Sequence, residues 1–263
     1  MTTVMRDAAR RLPAALSAVL VLGFVAARAG PAQAAGCSFR SQGDGRFKGI
    51  VDGRTIQLDD GREVRLAGIE IPDAAIGEAA LAALLLGREV MLQGDSDMPD
   101  RYGRQPAMVF VDRDRLVQRD LLAQGAALVA ATVTDKGCAA ELRAAEADAR
   151  RARRGIWSRG SVIKNAESPG DILAGIGQFS VVEGTVQSVR QAGATTYVNF
   201  GRRWTQGFAV TISKRMMSVL EGAGVSPKAL ERRRIRVRGW IEARGGPRIE
   251  VLRVGQIELV GDD

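Results

Sequence analysis

"GIVDGRTIQLDDGREVRLAGIEIPD", residues 49–73, decides the fold. With the residues just before it, it breaks into short β-rich runs, "FKGIVDG", "TIQLDDG" and "EVRLAGI", punctuated by Asp-Gly. Asp-Gly between such runs is a strong short-range hairpin signal. Arg54 stands in the first turn, flanked by Asp52 and by Asp59 and Asp60. Acidic turns of this kind often hold a cation, so a permanently positive side chain there demands an explanation.

Outward from this stretch the chain divides into two halves. After it, "AAIGEAALAALLLG" reads as a helix, rich in Ala and Leu and stopped by Gly87. "REVMLQG" and "RQPAMVFV" read as further strands, Pro106 at a strand start or edge because it cannot donate to a ladder. "RLVQRDLLAQG" and "CAAELRAAEADARRARRGIW" read as two more helices, each running to a glycine. These elements form a first domain over residues 45–158. Residues 159–178, with "SPGDILAGIG", read as a linker. Residues 179–260 are again β-rich: "SVVEGTVQSV", "TTYVNFG", "GFAVTI", "RIRVRGWIEA", "RIEVL" and "QIELV", with one helix near Lys214–Glu221. Several strands with one helix in so short a span suit a small OB-like β-barrel.

Composition narrows the chemistry. The chain has 263 residues, 46% hydrophobic and 26% charged, which is globular and not disordered. It contains no histidine, which excludes a Ser-His-Asp triad, imidazole metal sites and histidine general bases. Net charge is +8, which suits a polyanion such as nucleic acid or anionic membrane. Arg6, Arg10 and Arg11, an apolar run from Leu12 to Ala27, and Ala32-Gln33-Ala34 together describe a secretory signal peptide over residues 1–34. The run is short for a membrane span, so the chain is expected to be exported, periplasmic or secreted, with no span after cleavage. Cleavage leaves a net charge of +5. Cys37 and Cys138 are the only cysteines. In an exported protein they are expected to pair as a disulfide; lipidation of Cys37, in a weak lipoprotein box "AAGC", is the alternative.

Four motifs in order now point to one family: "GIVDGRTIQLDDGREVRLAGIEIPD", "DRYGRQPAMVFV", "LLAQGAALV" and "AEADARRARRGIW". Over residues 46–157 the chain resembles the staphylococcal nuclease (thermonuclease) family. The resemblance implies a mainly β architecture with helices: an OB-type five-stranded barrel with three helices, followed here by the second small β domain. It also implies a calcium-dependent phosphodiesterase acting on DNA or RNA, a chemistry that needs no histidine. Its transition state carries extra negative charge on phosphorus oxygens, which fixed guanidiniums and a calcium ion stabilise.

The resemblance assigns roles residue by residue. Arg65 and Arg104 match the two catalytic arginines, suited to bidentate phosphate contact. Asp73 falls at the glutamate general base, one methylene short; its alternative role is the N-cap of the helix that follows. Glu70 falls at one calcium-ligating aspartate, and Ile71 at a residue that lends its backbone carbonyl. Arg54 falls at the other aspartate ligand. Exchanging a carboxylate for a guanidinium there changes the site by two charge units, each worth about 4 kcal/mol per unit charge at about 4 Å and an effective dielectric near 20. Calcium is therefore the expected cofactor only if the chain is active, and none where Arg54 displaces it, with Arg54 pairing Glu70, Asp73 or Asp52. Tyr102 is retained from the family's nucleotide contacts, whereas the tyrosines after the "QG" helix end map onto Ala131 and Val133. In the second domain, "FGRRWTQGF" gathers Arg202, Arg203 and Trp204, and strand alternation puts Arg236, Arg238 and Trp240 on one face. That face either binds single-stranded nucleic acid or packs against the first domain with its arginines paired. Two functions follow: an exported thermonuclease-type phosphodiesterase with an altered metal and base site, or a non-catalytic exported protein that binds nucleic acid or another protein.

Overall fold

The computed structural model describes residues 1–2, 36–201 and 206–261. The leader, the Ala32-Gln33-Ala34 exit and the Arg202-Arg203-Trp204 cluster lie outside the described residues. The described residues from 36 onward pack as one compact unit.

The opening stretch does form a three-stranded meander: β1 (Arg40–Asp52), β2 (Thr55–Leu58) and β3 (Glu63–Leu66). α1 (Ala74–Leu85) follows, then β4 (Glu89–Gly94) and β5 (Gln105–Val111). β1 is long enough to pair antiparallel with β2 on one side and β4 on the other. Register shifts near Gly43, Gly49 and Ile50 let it bend between those partners, as bulges do. β4 pairs antiparallel with β5, and β5 closes on β3 in parallel, with Arg65 opposite Pro106. The ring β1-β2-β3-β5-β4 is thus an OB-type barrel. Pro106 sits one residue into β5, where a missing donor is tolerated. Alternate residues of β2 and β3, among them Ile56, Leu58, Val64 and Leu66, fill the interior with Leu92 and Val109.

α2 (Val117–Ala123) and α3 (Lys136–Arg151) cover the barrel. Asp135 caps α3, its carboxylate accepting from the Cys138 amide at 2.7 Å. Cys138 is bonded to Cys37, 101 residues earlier, tying the start of the domain to this first turn. After α2, Gly125 and Gly155 meet so closely that a Cβ on either would lie within 2.3 Å of backbone oxygen, which only glycine permits. That contact seats the buried Trp157 under the barrel.

The second barrel repeats the connectivity of the first. β6 (Phe179–Thr185) runs into β7 (Ser188–Ala192), followed by β8 (Thr195–Asn199), β9 (Ala209–Ser213) and α4 (Lys214–Gly222). β10 (Arg234–Trp240), β11 (Pro247–Val251) and a short β12 (Ile257–Leu259) complete it. β7, β8 and β9 form the antiparallel meander, β9 pairs parallel with β11, and β10 pairs antiparallel with β6. Glu242–Ala243, continuing from β10, joins β11 and completes the order. In both barrels a helix follows the last strand of the three-stranded meander. The core holds Val198, Phe200, Phe208, Val210, Ile235 and Val237.

The segment 159–178, read as a linker, is ordered into structure. Ile163–Asn165 adds to β6 in parallel, and Pro169–Leu173 forms a short helix with proline in its first turn. Its backbone is thereby built into the edge of the second barrel, despite its loop-like composition.

The alternation of β10 does put Arg236 and Arg238 on one face, but that face is turned inward. Arg238 is 2% exposed, and its Nη1 donates to both Glu146 carboxylate oxygens on α3, at 3.0 and 2.9 Å, and to the Val129 carbonyl at 3.1 Å. Arg236 donates to Glu183 at 2.9 Å and to Glu258 at 3.1 Å. Two buried guanidiniums demand paired carboxylates, and these are supplied from both barrels. Of the two readings of the Arg236/Arg238/Trp240 face, these contacts therefore favour packing over nucleic-acid binding: Arg238 joins the two barrels, and Arg236 is paired within the second. Trp240, half exposed, packs edge-on against Phe179 with ring centroids 6.0 Å apart.

Candidate functional site

The site lies where the β1–β2 turn meets the end of β3 and the residues after it. Asp52 shapes the turn: its carboxylate accepts from the Arg54 amide at 2.9 Å. The Arg54 carbonyl accepts from the Leu66 amide at 2.9 Å, so the turn is fastened to β3. This fixes the start of the Arg54 side chain and aims it at the segment that follows.

There the Arg54 guanidinium forms an ion pair with Glu70 and donates to the Ile69 carbonyl at 2.8 Å. The two side chains keep only 15% and 13% of their exposure. Burial pushes the Glu70 carboxyl up, to about 7, and Asp52 pushes the same way while Arg65 pulls it down. The guanidinium in direct contact acts with Arg65 and favours the carboxylate. Of the three partners open to Arg54 in the sequence, Glu70 is the one taken. The carbonyl that meets it belongs to Ile69 and not to Ile71. Ile71 instead wedges its side chain between the turn and α1: a Cβ on Gly77 would lie 2.3 Å from its Cγ2, and one on Gly53 3.4 Å away.

Arg104 is held in place before any ligand arrives. Its Nε and Nη2 donate to one Asp100 oxygen at 2.9 and 2.7 Å, and Nη1 lies 3.6 Å from Asp52. The Arg104 side chain, through these bonds, holds the Asp100 carboxyl well below its usual range, at about 2. Tyr102, 64% exposed, has the guanidiniums of Arg101 and Arg104 over its ring at 4.7 and 4.8 Å. Arg65, half-buried on β3, makes no hydrogen bond or ion pair through its side chain among the described residues. It is the one matched arginine left free to meet an anion.

Asp73 has two other engagements. Its carboxylate caps α1, accepting from the Ile76 amide at 3.2 Å, and pairs with Arg159 at 2.9 Å. Those bonds, the Ile76 amide foremost, hold it below the ordinary carboxylate range. A lowered pKa makes a weaker base. Among the described residues no group of three or more Asp, Glu, Cys or His side chains is arranged to hold a metal ion.

Ala131 and Val133 lie at the seam between the barrels. Ala131 adopts a left-handed backbone, φ 55°, and a Cβ on Gly255 of the second barrel would come within 3.3 Å of its Cβ. Val133 packs toward Gly68. A larger side chain at 131 would stand at this seam, facing the Gly255 turn of the second barrel.

Sequence reasoning missed the partners more than the players. Asp100, Arg159 and Glu146 were not singled out, yet each decides what its arginine or carboxylate can do. "DRYGR" carries Asp100 four residues before Arg104, a local spacing that was readable; Arg159 and Glu146 meet their partners only through the fold.

The family of staphylococcal nuclease homologues matches residues 63–159. Curated proteins provide no match to the chain. The first barrel, from β3 through Trp157, therefore carries a staphylococcal nuclease-type domain, and the match ends before the second barrel begins.

Proposed function

We propose that this chain, carrying a staphylococcal nuclease-type domain, is an exported protein whose calcium-dependent phosphodiesterase chemistry is disabled at the metal position. In this reading it binds phosphodiesters rather than cutting them. The observation that carries the proposal is the Arg54 guanidinium, seated on the Glu70 carboxylate and the Ile69 carbonyl. Both oxygen groups that a hard cation would need are engaged by a fixed positive charge, so these residues do not fit calcium. A guanidinium supplies charge but cannot bind a water and lower its pKa. The second barrel at Ala131 and the capping role of Asp73 support the same reading from the substrate and base sides.

Binding is supported by what remains open. Arg65 is unpaired among the described residues, Tyr102 is exposed between two guanidiniums, and the chain after the leader keeps a net charge of +5. The leader and the Cys37–Cys138 bond support export to the periplasm or beyond.

The test is a paired assay on the purified mature protein. Cleavage of plasmid and single-stranded oligonucleotide is followed with calcium and with chelator, and oligonucleotide binding is measured across a salt series. The expected result is no calcium-dependent cleavage, with salt-sensitive binding weakened by Arg65→Ala. Brisk calcium-dependent cleavage by the wild type would overturn the proposal.

A further inference from the structure

Between α3 of the first barrel and α4 of the second lies a cleft of about 820 Å³, apart from the Arg54 site. Its volume is in the range of small-molecule sites. The walls are aliphatic: Val129 and Leu142 on one side, Met216, Val254 and Ile257 on the other. At its mouth Val219 and Leu252 are 50% and 66% exposed, an unusual outlay of apolar surface at one place. Four cations line it as well: Lys136, Arg143, Arg215 and Arg253. None of the four makes an ion pair among the described residues, and no carboxylate and no aromatic ring lines the cleft among them. Arg143 donates Nε to the Ala139 carbonyl of its own helix at 3.2 Å, leaving its Nη groups for a ligand.

An aliphatic cavity with unpaired cations has a definite complement. Without aromatic rings it offers a nucleobase no stacking. Without carboxylates it offers a cationic ligand no partner. We propose that the cleft binds a single-chain anionic amphiphile: a long acyl chain against the aliphatic walls, its carboxylate or phosphate head met by Arg143 and Arg253. The cleft shares Ala131 and Val133 with the nucleotide side of the first barrel but contains none of Arg54, Arg65, Glu70 and Arg104, so it stands whether or not the nuclease-type site is active.

The test uses the mature chain and displacement of anilinonaphthalenesulfonate fluorescence. Competitors are a 16-carbon carboxylate, the 12-carbon carboxylate, the 16-carbon alcohol, a 16-carbon alkyl phosphate and anionic phospholipid vesicles. The long carboxylate or alkyl phosphate should compete at least about tenfold better than the alcohol, and shortening the chain by several methylenes should weaken competition by more than about tenfold. Comparing the two heads identifies which anion the site prefers. Arg143→Ala with Arg253→Ala should abolish the preference for the anion while leaving the alcohol unchanged, and Val219→Glu, at an exposed position, should weaken the anions in a protein of unchanged circular dichroism. Equal competition by alcohol and anions, or full competition by the folded double variant, would overturn the proposal. Binding to vesicles with no competition by monomeric amphiphile would overturn it too, since the surface would then recognise a membrane.

Discussion

Arg54→Asp is the perturbation that most directly probes the site. It removes a guanidinium from the Glu70 carboxylate and the Ile69 carbonyl, and puts a second carboxylate beside the first. Breaking a fully buried ion pair costs about 3–5 kcal/mol, and the residual 15% and 13% exposure brings the expected loss to about 2–3 kcal/mol. For a chain of this size that is a fall in Tm of roughly 5–10 °C without calcium. The same change converts repulsion into attraction for a divalent ion, at about 4 kcal/mol per unit pair before screening. Calcium at about 100 times its dissociation constant should then return about 2.7 kcal/mol, recovering most of the lost Tm. Thermal unfolding across a calcium titration, read side by side for wild type and variant, is the assay. The wild type should not move, and the variant should start low and rise. Cleavage should follow only weakly, since Asp73 still caps α1 and is paired with Arg159; adding Asp73→Glu should raise it further. The reasoning fails if calcium stabilises the wild type equally, or if Arg54→Asp is as stable as wild type in chelator.

Three further outcomes follow from named contacts. Glu146→Ala leaves the buried Arg238 with only Glu258, at 3.3 Å, and the Val129 amide without an acceptor, and should cost up to about 3–5 kcal/mol in urea unfolding, whereas Glu146→Leu with Arg238→Met should cost less, because no buried charge is then left to pair and the loss falls on the Val129 amide and carbonyl. Reducing the Cys37–Cys138 bond, or Cys37→Ser with Cys138→Ser, opens a loop of 101 residues and should lower stability by up to about 4–5 kcal/mol in the chain-entropy picture. Asp100 is ionised more readily in the fold, near 2, than at its ordinary 3.8, so its pair with Arg104 contributes fully above 3.8 and is lost as pH falls through 2. Asp100→Asn should flatten that acid limb in pH-dependent thermal unfolding, and an unchanged limb would remove the assignment.

Most of the first barrel was legible because its signals are local. Asp-Gly turns, a two-residue alternation through "TIQL" and "EVRL", and an Ala-Leu helix with a capping aspartate each act within a few residues. Closure of the ring was legible only through the family likeness, since the β3–β5 pairing joins residues about forty apart. The alternation of "RIRVRGW" gave the right face of β10 but not what covers it. Whether a strand face meets solvent or another barrel is a property of tertiary packing, and Glu146 lies 92 residues away. The same holds for the segment 159–178: its loop-like composition is real, but a barrel edge beside it supplies ladder partners for a three-residue strand. Arg54 was legible as a cation in an acidic turn, and Glu70 as one of three candidate partners, because both lie within the opening stretch.

The departures at Arg54 and Ala131 differ in how they are held in place, which makes them unequal as routes back to a family-like site. Arg54 answers an electrostatic need: Glu70 is buried, and some cation must accompany its charge. A bound calcium ion meets that need as well as a guanidinium does, so reversal at 54 asks for no rearrangement of the backbone. Ala131 answers a steric one. Its left-handed backbone, with φ 55°, costs a residue other than glycine about 1–3 kcal/mol, and Ala131 faces Gly255 of the second barrel, where an added Cβ would lie 3.3 Å from its own. A tyrosine at 131 would have to keep that backbone and turn its ring past Gly255 into the cleft between the barrels, at a seam fastened by Arg238 to Glu146 and Val129. Ala131→Tyr should therefore destabilise the whole compact unit rather than restore a stacking platform. Thermal unfolding should show Tm falling with Ala131→Tyr whether or not Arg54→Asp and calcium are present. A tyrosine accepted at 131 without loss of Tm would mean that the cleft takes the ring, and that docking of the second barrel is not what keeps the nucleotide side of the site bare.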